Sequence, residues 1–121
     1  MTTDRELLEY AAKAAGMVLL QVPNRNQTDA DWWAYSMDAL PNTAKPWNPR
    51  TDDGDALRLA VNLKLAIRPL EKCVFVESDP ETLLSQSAVS ELEMYGKVQD
   101  PYAATRRAIV RVAAEIGKAM S

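Results

Sequence analysis

Apolar residues recur at helical spacing along the first fifteen positions. Leu7, Leu8, Ala11, Ala14 and Ala15 share one face of a helical wheel, and Arg5, Glu6, Glu9 and Lys13 share the other. Thr3 and Glu6 have the spacing of a capping box, and Glu9 and Lys13 form an i,i+4 pair in the favourable order. Gly16 follows, a residue that tolerates positive φ just past a helix end. The apolar run at 17–22 is too short for a second helix after that stop, and Pro23 ends it, so it reads as a strand. Positions 23–30 are polar and turn-rich. The aromatic run at 31–36 reads as a second strand, with Trp32 and Ala34 on one side and Trp33 and Tyr35 on the other. The two strands form a hairpin with a long loop. Pro41, Pro46 and Pro49 make 40–50 irregular.

A second helix is predicted over 56–65, opened by Asp52, Asp53 and Asp55, which can cap free N–H groups and oppose the positive end of the dipole. Its wheel is apolar nearly all round. Only Arg58 and Asn62 form a polar stripe, and Lys64 must snorkel, so cover on more than one side is expected. Pro69 prevents continuation. Positions 73–77 are β-branched and aromatic on both faces, which reads as a central strand. Positions 88–95 alternate, with Leu92 and Met94 on one face and Glu91, Glu93 and Tyr95 on the other. That reads as a strand, a helix over 80–95 being the rival. Asp100 and Pro101 open a last helix as N-cap and first helical residue. Tyr102, Thr105, Ile109, Val112, Ala113, Ile116 and Met120 form one face of it, and Arg107, Arg111, Glu115 and Lys118 the opposite face. The order α-β-β-α-β-β-α describes a single α+β domain over 1–121 with an antiparallel sheet.

Composition narrows the chemistry more than it names it. The chain of 121 residues, 13.4 kDa, is 47% hydrophobic and 26% charged, enough for one core without staples. The longest apolar run, 14–20, is far short of the ~20 residues a spanning helix needs. The N-terminus has no basic segment followed by an apolar one, so no secretory leader is expected. A single cysteine, Cys73, excludes an internal disulfide framework and a multi-cysteine zinc site. The absence of histidine removes the Ser-His-Asp triad, the Cys-His dyad and histidine zinc sites together. Net charge is −3 and the pI near 4.9, against a whole-protein footprint for nucleic acid. The charge is uneven. From position 100 onward Arg106, Arg107, Arg111 and Lys118 outnumber Asp100 and Glu115, leaving that segment at +2 and the rest at −5.

Three segments resemble a known family. WNPRTDDGDALRLAVNL at 47–63, DPYAATRRAIVRVAAEIG at 100–117 and LLEYAAKAAG at 7–16 are similar to blocks of the phage ABA-sandwich domain family, small proteins of bacteriophages and prophages. The three segments cover 45 of the 121 residues. The resemblance implies a helix–sheet–helix (ABA) sandwich, which fits the element order above, and a protein made in the bacterial host cytoplasm. It implies no activity, catalytic residue or cofactor.

Candidate sites each have a plainer account. Asp52, Asp53 and Asp55 could offer oxygens to a hard cation across a turn at Gly54. An EF-hand loop, however, spreads its ligands over about twelve residues and ends in Glu, and Arg58 and Leu59 do not fit. A cap and tight turn packed under Trp47 is the simpler reading. Arg107, Arg111 and Lys118 could contact phosphates, or form a solvated face with Glu115 paired to Arg111. Trp32, Trp33 and Tyr35 could form a partner-binding patch, or pack into the core. Cys73 reads as a small hydrophobe before a nucleophile. Glu91 and Glu93 share a strand face, expected toward solvent. The expectation is a non-enzymatic phage or prophage accessory protein that binds a host or phage protein, a host defence component being one candidate. The alternative is a nucleic-acid-associated protein using the last helix. No cofactor, metal or membrane partner is expected. A homodimer is expected through an open edge at the aromatic run 32–35, unless 23–42 folds back over that edge.

Overall fold

Helix α1, Asp4–Ala14, stops as its sequence predicts. The Gly16 N–H donates to the Lys13 carbonyl at 3.0 Å, and Gly16 takes a φ of 75°. The computed structural model describes residues 4–23, 30–37, 44–78, 90–95 and 100–120, so Thr3 of the capping box lies outside the described residues. Strands β1, Met17–Pro23, and β2, Ala30–Ser36, pair antiparallel from Met17↔Ser36 to Pro23↔Ala30. The proline-rich stretch is not wholly irregular. Its Lys45–Pro46 forms a short strand, β3, against β2, with Trp33↔Pro46 and Ala34↔Lys45 in register. Proline is tolerated there because β3 lies at the sheet edge.

Helix α2, Asp53–Asn62, is capped by Asp52, whose side chain accepts the Asp55 N–H at 2.8 Å. It ends before 65, and for a geometric reason. The Leu65 N–H reaches the Ala60 carbonyl at 2.9 Å and the Lys64 N–H reaches Val61 at 3.2 Å, closing a Schellman motif with Lys64 at a φ of 56°. The residues thus released form β4, Ala66–Pro69. A two-residue turn at Glu71 and Lys72 leads to β5, Cys73–Glu77, and β6 is Ser90–Met94. The strand order β4-β5-β6 puts β5 in the centre, as its apolar residues on both faces predict. Ser90–Met94 is strand rather than helix, and 79–89 lies outside the described residues. Helix α3, Pro101–Ala119, is capped by Asp100, which accepts the Ala103 N–H at 3.0 Å.

The molecule is thus an α+β helix–sheet sandwich with antiparallel strands, ordered α-β-β-β-α-β-β-β-α. It differs from the expected single four-stranded sheet. The short strands β3 and β4 each complete a separate sheet of three. Helix α3 is the hub, touching α1, α2, β4, β5 and β6, while α1 also packs on β1. Ala104, Ala108, Ile109, Val110, Val112, Ala113, Ala114, Ile116 and Gly117 of α3 are buried, an arc wider than its expected stripe, whereas Tyr102 and Met120 are exposed. A Cβ on Gly117 would stand 1.8 Å from the Tyr10 carbonyl oxygen, so α1 and α3 meet closer than any side chain there permits. Among the described residues, α2 buries Ala56, Leu59 and Ala60 on the side that packs against α3 and leaves Leu57 and Val61 exposed, so it lacks the expected cover on more than one side there. Among the described residues no helix is long and apolar enough to cross a membrane.

Candidate partner-binding site

The three aspartates before and within α2 hold their own loop together. Asp52 caps the helix. Asp55 accepts the Asn48 N–H at 2.9 Å and an Arg58 N–H at 2.7 Å. Asp53 pairs with Arg106, whose Nε also donates to the Arg50 carbonyl at 2.8 Å, fastening the loop to α3. Asn48 closes the turn by accepting the Arg50 N–H at 3.1 Å, and Trp47 is buried beneath it. Among the described residues no group of three or more acidic or cysteine side chains could hold a metal ion. Beside this loop Trp33, Pro46, Trp47, Asn48, Asp52 and Arg58 line an open cavity of about 570 Å³. The Trp33 indole N–H is buried without a hydrogen-bond partner among the described residues.

The open edge expected at the aromatic run is covered at Trp33 and Ala34. Trp33 and Tyr35 are half-buried, and the Trp32 side chain lies outside the described part. Strand β2 is the centre of its sheet, flanked by β1 and β3, so Trp33 and Ala34 offer no free edge. The cover comes from Lys45–Pro46, just beyond the 23–42 stretch considered for that role.

The basic row on α3 is not open either. Arg107 Nε donates to Glu93 Oε1 at 3.0 Å, and Arg111 pairs with the other oxygen of Glu93 and lies 3.7 Å from Glu91. Leu7, Glu91, Arg111 and Glu115 line a common cavity, so Arg111 sits among carboxylates. Lys118 is exposed and makes no ion pair among the described residues. Glu91 and Glu93, expected toward solvent, therefore face the helix. The reason is chemical: two guanidiniums one turn apart supply the partners that partly buried carboxylates need.

Turning the glutamates inward turns the other face of β6 outward. Leu92 is 49% and Met94 58% exposed, Leu70 beside them is 54% exposed, and Phe75 and Cys73 on the same face of β5 are half-buried. The opposite face of this sheet carries Val74 and Val76, fully buried against α3. This open apolar face was not singled out from the sequence. Alternation over 90–95 separates its residues into the observed two faces, but an expectation of solvent-facing glutamates turns them the wrong way. The signal that could have found it is the Arg107–Arg111 spacing, which matches two carboxylates on alternate strand positions.

No family model, curated protein or solved structure matches this chain.

Proposed function

We propose that this chain is a non-enzymatic accessory protein of a phage or prophage, working in the bacterial cytoplasm by binding a protein. The observation that carries the binding reading is the open face of the second sheet, with Leu70, Phe75, Leu92 and Met94 together on it. Contiguous exposed apolar surface of this kind is a usual mark of a protein interface. The phage setting, and a host defence component as the bound protein, rest on the resemblance of the three sequence blocks alone. Nucleic acid is the weaker reading, because Glu91 and Glu93 already neutralise Arg107 and Arg111.

Affinity capture from bacterial lysate tests this reading, with the wild type and Leu92→Asp compared. Leu92 is exposed, so the substitution leaves the fold intact. A protein held by the wild type and lost by the variant is the expected result. Equal retention by both, or nothing above background and no self-association, overturns it.

A further inference from the structure

We propose that the occupant of the open face is a second copy of this chain, related by a two-fold axis, with the strands of the two sheets steeply crossed. The proposal rests on the protein-binding reading of that face and sets a second copy there in place of a host protein. The registers Ala66↔Glu77, Arg68↔Phe75, Cys73↔Met94, Phe75↔Leu92 and Glu77↔Ser90 arrange the outward residues as a grid across three strands. Strand β4 supplies Ala66 and Arg68, and Leu70 continues its row, its N–H bonded to the Cys73 carbonyl at 2.8 Å. Strand β5 supplies Glu77, Phe75 and Cys73, and β6 supplies Ser90, Leu92 and Met94. Phe75 is the centre.

Charge selects one way for this face to meet itself. Arg68 and Glu77 lie on either side of the diagonal that runs through Ala66, Phe75 and Met94. A two-fold axis over that diagonal sets Arg68 of each copy against Glu77 of the other. It also sets Leu92 against Cys73, and Phe75 and Met94 against themselves. An axis along β5 instead opposes Glu77 to its own copy. An axis across the strands opposes Arg68 to itself, and the other diagonal sets both charges on apolar Cys73 and Leu92. Steeply crossed sheets are an established way for two sheets to pack. Within one copy Arg68 and Glu77 are 3.5 Å apart, with Arg68 mostly exposed and Glu77 half-buried, a weak pair that can be shared with a partner. A self-complementary patch is what a two-fold dimer requires.

Light scattering across micromolar concentrations reads the result. The wild type is expected at twice 13.4 kDa. Arg68→Glu alone and Glu77→Arg alone each place like charges in opposition and weaken self-association by about a hundredfold or more. Mixing the two variants restores a dimer, because each opposed pair in the mixed complex again has opposite signs. The internal pair is broken in both variants, so a role confined to one copy predicts no such rescue. Leu92→Asp gives a folded monomer whose melting temperature does not vary with protein concentration and matches the wild type's at dilutions where the wild type dissociates. A wild-type mass near 13.4 kDa throughout, a mixture that stays monomeric, or a dimer that survives Leu92→Asp overturns the proposal. If the wild type is monomeric while lysate capture is still lost in Leu92→Asp, the second copy is refuted and the protein-binding reading stands. If both fail, both fall.

Discussion

Lys64 holds a φ of 56° one residue past the C-cap of α2, where a Cβ crowds the following carbonyl. Glycine is the common occupant of that position, and Gly16 takes it after α1 with a φ of 75°. The two sites make opposite predictions. Lys64→Gly should raise stability by about 0.5–1 kcal/mol, the relief of strain exceeding the added freedom of the unfolded chain. Gly16→Ala should lower it by about 1–2 kcal/mol, because positive φ is the difficulty there and no neighbouring atom is close. Urea midpoints at unchanged slope measure both, and a lower midpoint for Lys64→Gly would refute the first. The pair also shows what one residue can announce. A glycine after an apolar stripe names its conformation, whereas lysine is common in helices and hides the turn it makes, so α2 reads on three residues past its end. Asp52 was legible as a cap because its partner is three residues away. Arg106, fastened to Asp53 and to the Arg50 carbonyl, was not, since nothing local ties positions so far apart.

Between elements, the tightest seam is α1 against α3. Gly117→Ala puts a methyl group into the Tyr10 carbonyl and must push the helices apart, which costs about 1–3 kcal/mol or more. A thermal melt that matches the wild type would show that the helices part without loss. The seam between α3 and β6 is polar instead, and it governs the nucleic-acid reading. With Glu93 bridging Arg107 and Arg111, two of the three cations on that face are already engaged. A gel shift at low salt is therefore expected to show no retention of DNA or RNA. Retention by the wild type that falls steeply with salt would put nucleic acid ahead of protein binding. The strand itself was legible from alternation, and so was the partition of its residues into two faces. Which face turns inward was not, because periodicity reports that faces differ and leaves the choice to the partner. On β5 the question did not arise, since apolar residues occupy both of its faces.

At the scale of the molecule, the α+β class followed from capping signals and periodicity, and the division into two sheets did not. Each sheet is completed by a strand that local pattern conceals: β3 is two residues containing a proline, and β4 is exposed along most of its length. What links the sheets is α1 packed on α3: α1 lies on β1, while α3, whose small residues let α1 and α2 approach, covers Val74 and Val76 with its other side. This arrangement predicts an order of local stability. Amides of α3 between Ala108 and Ile116, buried and contacted on several sides, can exchange only when the core opens, so their exchange free energies should match global unfolding. Lys45 and Pro46 are paired over just two positions at a sheet edge and are exposed, so β3 should open at far lower free energy. Native-state hydrogen exchange across a urea series measures the Lys45 amide against those of Ala108, Val112 and Ile116. Gly117→Ala should lower the α3 values by the same amount as global stability, because the seam and the hub are one structure. Exchange from the middle of α3 well below the global value, with β1 and β2 still protected, would show instead that the two sheets open as separate units.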